Sequence, residues 1–280
     1  MEIGKVNKIL PRSFVDGPGN RAVIFLQGCN FHCLYCHNPY TINECSHCGV
    51  CVGHCPERAL IFEGKKVRWI EGKCADCDTC IDVCQFFSSP KVKQMTAVDV
   101  WEELKDLQPF ISGVSVSGGE PTLQIPFMTE LLRTVKERSS LNTLMETNGY
   151  IDSEYVKPML PYLDMVQVDL KACEDEIHRT LTGNPNQPVK DSIRFYAEKG
   201  VLYSVQQVIV NQYTNSPKQV AATAEFLSGI NPDIRLQLVK FRPHGTAGEA
   251  KSWLSPTDEQ MKRLSETASV YGLNYVHVSL

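Results

Sequence analysis

Three cysteines in one short loop constrain this chain more than any other feature. Cys29, Cys33 and Cys36 lie in the stretch QGCNFHCLYCHNP, residues 27–39. An iron–sulfur cube held by four cysteines has every iron covered, so three thiols leave one iron open. An open position is where a catalytic metal meets substrate, whereas a structural site closes its shell. The loop therefore reads as the seat of a cluster that does chemistry. The run before it, Ala22 to Gln27 (AVIFLQ), is apolar and of strand length, which hangs the loop on the C-terminal end of a first β-strand.

Eleven of the twelve cysteines lie between Cys29 and Cys84. The start, MEIGKVNKILPRSF, lacks the apolar core of a signal peptide, and no apolar run is long enough to span a bilayer. The expected compartment is the cytosol, with no membrane partner, and there tight cysteine spacings mean metal rather than disulfides. CSHCGVCVGHCP places Cys45, Cys48, Cys51 and Cys55, and CADCDTCIDVC places Cys74, Cys77, Cys80 and Cys84. Both runs have the spacing of a bacterial two-cluster ferredoxin, in which the fourth cysteine of each run ligates the other run's cluster. One cube would take Cys45, Cys48, Cys51 and Cys84, the other Cys74, Cys77, Cys80 and Cys55. None is left to close the first loop. Zinc also binds Cys-x2-Cys pairs, but two repeats of four, with Pro56 after the first, favour the cubes. Cys173 stands alone and reads as a small buried apolar residue. His32, His47 and His54 lie among cysteines that already complete their sites, so they read as solvated or neighbouring groups.

A net charge of −4 and a pI near 6.0 supply no basic field for nucleic acid. The 280 residues, 42% hydrophobic, suit one α/β domain with an insertion. We divide the chain into 1–40, an insert over 41–95, and 96–280. After the insert, helices are expected around 97–107, 125–138, 152–160, 174–181, 189–198, 216–227 and 257–271. They alternate with strands over 113–117, 142–146, 164–170, 202–210, 234–239 and 274–278. Alternation of this kind implies parallel strands and crossover helices, in a curved, open partial barrel with too few strands for eight.

Working residues in such folds sit where strands end. Here those ends read Ser117-Gly118-Gly119-Glu120-Pro121, Glu146-Thr147-Asn148-Gly149, Asp169-Leu170-Lys171 and Lys240-Phe241-Arg242-Pro243-His244-Gly245. A small molecule that caps the open iron through amino and carboxylate groups needs an ammonium acceptor, a cation and flat backbone. Gly118 and Gly119 offer the backbone, Glu120 or Asp169 the acceptor and Lys171 the cation. Taken singly, each is most often a turn or a solvated charge; on one shared rim they supply all three requirements together.

Cys29, Cys33 and Cys36 with Tyr35 before the third cysteine, followed by Gly118-Gly119-Glu120, resemble the radical S-adenosylmethionine (SAM) superfamily. More narrowly, Asp16-Gly17-Pro18-Gly19, Arg21, the QGC and YCHNP flanks, SGGEP, ETNG, VDLK and Leu181-Thr182-Gly183 are similar to glycyl radical enzyme activating enzymes. The repeated cysteine runs resemble the branch with a ferredoxin insert, such as the YjjW-type activases. The resemblance covers nearly the whole chain. It implies an α/β fold, a partial (β/α)6 barrel of parallel strands with an inserted bacterial-type ferredoxin domain carrying two 4Fe–4S clusters. It also implies a third 4Fe–4S cluster on Cys29, Cys33 and Cys36, SAM as cofactor, and a radical that takes hydrogen from a glycine of a partner glycyl radical enzyme. A flavodoxin or ferredoxin would be the electron donor.

Carried over by residue, Gly118, Gly119 and Glu120 match the contacts to the SAM amino group and Lys171 the carboxylate-binding lysine. Tyr35 falls beside the adenine region. Glu146, Thr147, Gln167 and Asp169 fall where a monovalent cation can sit beside SAM, with Glu146 standing where aspartate is common. Arg242 and His244 are both candidates for a further SAM contact, and Asp16 matches a segment facing the partner. Two other readings stand beside this one: a radical SAM enzyme acting on a small molecule, and an iron–sulfur electron carrier without catalysis.

Overall fold

The computed structural model describes residues 2–279. In chain order its elements are β1 (Ile3–Ser13), β2 (Arg21–Leu26), the hairpin β3 (Leu60–Glu63) and β4 (Lys66–Trp69), α1 (Thr79–Asp82), β5 (Lys93–Thr96), α2 (Ala97–Leu104), β6 (Gly113–Gly118) and α3 (Ile125–Arg138). There follow β7 (Asn142–Thr147), α4 (Ser153–Val156), β8 (Met165–Asp169), α5 (Asp175–Thr182), α6 (Gln187–Glu198), β9 (Leu202–Ile209), α7 (Pro217–Ser228), β10 (Leu236–Lys240), α8 (Asp258–Val270) and β11 (Val276–Ser279). Nine strands form one sheet in the order β11-β10-β9-β8-β7-β6-β2-β1-β5. Every neighbouring pair from β2 to β11 is parallel, whereas β1 runs antiparallel to both β2 and β5.

The parallel part has the seven strands expected, from the run at 22–27 to the one at 274–278, with β11 alongside β10. One feature departs from the sequence expectation. The cysteine loop follows the second strand, since β1 precedes it. With Lys5, Lys8, Pro11 and Arg12 inside its span, β1 shows little clean alternation, and its residues are largely exposed or half-buried.

The two faces of the parallel strands differ. Ile24, Leu26, Val114, Val116, Val166, Val168, Leu236 and Leu238 pack with helix residues such as Leu131, Ile193, Val220 and Leu264 in the main core. The alternate residues mix apolar side chains such as Val23, Leu144 and Val208 with a line of polar ones. Arg21 Nε donates to Ser115 Oγ (2.6 Å), Ser117 Oγ to Glu146 Oε2 (2.7 Å), Ser204 Oγ to Gln167 Oε1 (3.0 Å) and Gln167 Nε2 to Gln206 Oε1 (3.1 Å). Parallel strands covered on both faces read as near-continuous apolar runs, and the line of polar residues across this face breaks that pattern.

The helices begin where their caps dictate. Thr96 and Asp99 form a capping box on α2, Thr257 and Gln260 another on α8, and the Ser216 side chain caps α7. The expected helix over 97–107 stops as α-helix at Leu104 and tightens into a 3-10 segment containing Pro109, and the one over 152–160 shortens to α4 and a 3-10 segment with Pro158 and Pro161.

Between the cysteine loop and β5 the chain builds a small unit around Cys51, Leu60, Val67 and Cys80, with Trp69 and Ile81 against it. Gln27 and Asn43 join it to the sheet. The Gln27 amide donates to the carbonyls of Tyr40 (2.9 Å) and Asn43 (2.6 Å), and Asn43 N–H donates to Phe87 O (3.0 Å).

Candidate active site

Three neighbouring segments hold the cysteine loop. Gly28 and Cys29 donate their amides to the carbonyls of Thr41 (2.8 Å) and Ile42 (2.9 Å). Past β7, Asn148 donates its side-chain amide to Asn30 Oδ1 (2.7 Å), and Asn30 donates to Tyr150 O (3.0 Å). Beside the end of α5, Leu34 N–H donates to Leu181 O (3.0 Å). Burial pushes the Cys29 and Cys33 thiols up to about 12 and raises Cys36 as well; each lies within electrostatic reach of another thiol of the loop, and Lys171 works the other way. Such thiols keep their protons until a metal takes the place of those protons. Three half-buried thiols in one short loop are the soft donor set that an iron–sulfur site needs.

The Gly118-Gly119 pair meets the root of this loop. A Cβ on Gly119 would lie 2.0 Å from Gly28 O and 2.9 Å from Thr41 O, and one on Gly118 2.3 Å from Leu26 N. Gly119→Ala should therefore displace the cysteine loop and lower bound iron by the content of one cube, as iron and sulfide analysis of anaerobically purified protein would show.

Glu120 is fully buried, and its carboxylate accepts from Thr122 N (3.0 Å), Thr122 Oγ1 (2.7 Å), Thr147 Oγ1 (2.7 Å) and Asn148 N (2.7 Å). It ties the ends of β6 and β7 together, so both Glu120 and the Thr147 hydroxyl are engaged within the rim. Gln167 is similarly engaged with Ser204 and Gln206. Glu146 and Asp169 stay on the face that carries the polar line. Burial, with the charges of Asp16 and Asp169, pushes Glu146 up to about 8.

Lys171 Nζ donates to Asp169 Oδ2 (2.7 Å) and lies 6.0 Å from the centroid of the Tyr35 ring. Burial opposes its charge, but Asp169, Tyr35 and Cys33 outweigh burial and hold its pKa well above the ordinary lysine value. Tyr35 is buried and meets Phe241 edge-on, with ring centroids 6.4 Å apart.

Arg242 and His244 both lie on the exposed side of the rim segment after β10. From that segment Phe241 packs its ring against Tyr35 and His37 of the cysteine loop. His37 Nε2 donates to Arg242 O (2.8 Å), a tie that no spacing in the sequence indicates. Asn30 and Asn148 were likewise not singled out; their flanking motifs were visible, but not the contact between them.

Asp16 enters from the other end of β2. Its carbonyl accepts from Ser115 Oγ (2.5 Å) and its carboxylate from Ser13 Oγ. Arg21 is fully buried beside it, with its guanidinium donating to Asn142 Oδ1 (2.5 Å), Val114 O (2.9 Å) and Pro18 O (3.3 Å). Burial lowers Arg21 to about 10, still charged at neutral pH.

The other eight cysteines line two cavities. One, of about 80 Å³, is bordered by Cys45, Cys48, Cys51 and Cys84, with Cys80 also on its wall. The second, of about 20 Å³, is bordered by Cys55, Cys74, Cys77 and Cys80. The two runs also repeat their backbone. Left-handed residues recur at matching places, His47 (φ 56°) with Asp76 (50°), Gly49 (83°) with Asp78 (56°), and Arg58 (49°) with Phe87 (50°). Backbone of this form turns successive amides toward an anionic group. Accordingly His47 N–H points to Cys45 Sγ (3.4 Å) and Ala59 N–H to Cys55 Sγ (3.2 Å).

The Radical SAM superfamily profile matches residues 23–227. The chain is 31% identical over 265 residues to the isethionate sulfite-lyase activating enzyme of Desulfovibrio desulfuricans, covering 87% of this chain and 84% of the relative. The chain belongs to the radical SAM superfamily. Membership implies a 4Fe–4S cluster that binds SAM, and this radical SAM enzyme carries Cys29, Cys33 and Cys36 in the loop after β2. It is also 27% identical to the indoleacetate decarboxylase activating enzyme of Tractidigestivibacter scatoligenes, over 93% of both chains. Against the pyruvate formate-lyase 1-activating enzyme of Escherichia coli it is 25% identical over 96% of this chain and 97% of the relative. In fold it resembles QueE from Escherichia coli, with a TM-score of 0.58 and 13% identity over 99% of this chain and 94% of that one. Among the described residues, no helix is long and apolar enough to cross a membrane.

Proposed function

We propose that this radical SAM enzyme activates a glycyl radical enzyme. The observation that carries the reading is the line of polar residues running from the three-thiol loop to Asp16, on a chain whose relatives are named as activating enzymes along nearly their full length. When bound and reduced, the cluster supplies the electron that splits SAM into methionine and a 5′-deoxyadenosyl radical, and that radical takes the α-hydrogen of a glycine.

The chain's own groups bind and orient. Cys29, Cys33 and Cys36 would hold the cluster, with an open position for the amino and carboxylate groups of SAM. Lys171, kept charged by Asp169, pairs with the SAM carboxylate, and Gly118 and Gly119 lend their backbone to the amino group. Tyr35 walls the adenine side. Glu146 and Asp169 are the members of the cation set that remain on that face, and a monovalent cation there would neutralise Glu146. Asp16 faces the entering glycine segment.

Residues 41–95 act as a ferredoxin-like unit with two further 4Fe–4S clusters, as in the YjjW-type branch, set beside a partial barrel in the cytoplasm. Lys93–Met95, the end of that span, pair with β1 in the main sheet, so the unit leans on the sheet edge. Flavodoxin or ferredoxin feeds it electrons. Anaerobic incubation of the reduced protein with SAM and a candidate partner tests the reading: a glycyl radical signal on the partner supports it, and 5′-deoxyadenosine formation with no protein radical on any partner contradicts it.

A further inference from the structure

The two cysteine runs repeat each other's backbone, but their outer surfaces are unlike. Cys48 is the exposed thiol of the first cavity, and around it stand Val50 (50% exposed), Phe62 (53%) and Phe86 (50%). Val50 and Phe86 line that cavity, and Phe62 packs over Gly49, where a Cβ would meet its ring at 3.3 Å. Beside this shelf the β3–β4 hairpin presents Lys65 and Lys66, both exposed, while its Glu63 is paired with Arg68 (3.2 Å), and the bond from Val67 N–H to His47 Nδ1 (3.2 Å) anchors the hairpin to the first run.

Cys77, the exposed thiol of the second cavity, has the opposite surroundings. Asp76, Asp78, Asp82 and Glu57 are all solvent-facing there, and Arg58, Lys73 and Lys91, the last bonded to Asp78 (2.8 Å) and Asp76 (3.4 Å), offset part of that charge and leave an acidic excess. An acidic protein is drawn to the first edge and repelled from the second.

We propose that the Val50, Phe62 and Phe86 shelf with Lys65 and Lys66 is the docking surface for an acidic flavodoxin-type electron donor. The charge asymmetry selects an acidic partner, and the apolar shelf over a cysteine site matches the exposed dimethylbenzene edge of a flavin. Exposed apolar side chains beside one sign of charge are the usual form of a transient docking site. In the transfer the donor is oxidised by one electron and the insert reduced by one, with no bond made or broken. The inference rests on the proposed iron–sulfur role of the insert.

The test titrates oxidised flavodoxin into the anaerobic holoenzyme by calorimetry at low and high salt, and follows electron entry from reduced flavodoxin by stopped-flow bleaching. Lys65→Glu with Lys66→Glu should weaken binding and slow bimolecular reduction about tenfold at low salt, an effect that fades as salt screens it. Asp76→Asn with Asp82→Asn should leave both unchanged or slightly improved. SAM cleavage driven by dithionite should be equal in all variants, which keeps failure of the docking surface distinct from failure of the enzyme reading. The proposal is overturned if the lysine reversals change neither quantity, if the aspartate changes are the damaging ones, or if an acidic ferredoxin binds this shelf and flavodoxin does not.

Discussion

With the three clusters proposed above, Cys33→Ala should lower 5′-deoxyadenosine formation by a factor of roughly a thousand or more while leaving about two thirds of the iron bound. Cys77→Ala should remove a comparable amount of iron but spare SAM cleavage when dithionite supplies the electrons. The difference follows from where the thiols sit. Cys33 is packed against the main core, with Lys171 in electrostatic reach, whereas Cys77 is exposed on the wall of a cavity in the small unit. Iron and sulfide analysis together with product quantitation on each variant separates the two sites. Equal loss of SAM cleavage in both variants would contradict a division into one catalytic and two closed clusters.

Lys171→Met weakens SAM binding by about 2–3 kcal/mol, roughly 30- to 150-fold. Methionine keeps much of the side-chain volume and removes only the charge, leaving the Asp169 carboxylate beside the site unpaired. The pH dependence has a definite sign. A lysine whose folded pKa is raised contributes stabilisation that is fully present below its unfolded pKa, about 10.5, and lost only as pH rises through the higher folded value. SAM affinity should thus show no break attributable to Lys171 across neutral pH. Equilibrium binding to the variant and parent proteins checks both points, and unchanged affinity in Lys171→Met would remove the lysine from the SAM site.

The parts of this site that local chemistry dictates were legible in the chain. Cysteine spacing brought Cys45, Cys48, Cys51 and Cys84 to one cavity and Cys55, Cys74, Cys77 and Cys80 to another, because the crossover is written into the repeat. Strand ends likewise placed Gly118, Asp169 and Lys171 on the rim. Contacts between distant segments were hidden. Nothing in SGGEP says that the Glu120 carboxylate turns inward to Thr147 and Asn148, because a carboxylate that accepts internal amides has the same letter as one that faces a ligand. His37, bound to the carbonyl of Arg242, was hidden in the same way. Strand β1 escaped because it lies between two antiparallel partners at one side of the sheet, where its alternation is blurred by lysines and Pro11. The short hairpin β3–β4 escaped because the cysteine runs on either side dominate that stretch.

The measurement that tests the central claim most directly uses a partner glycyl radical enzyme deuterated at the glycine α-carbon. It is incubated anaerobically with SAM and the dithionite-reduced protein, then examined by electron paramagnetic resonance and by mass spectrometry of the nucleoside. The account predicts a protein-based glycyl radical and one deuterium in 5′-deoxyadenosine for each radical formed. Deuterium-free 5′-deoxyadenosine with no radical on the partner would contradict it.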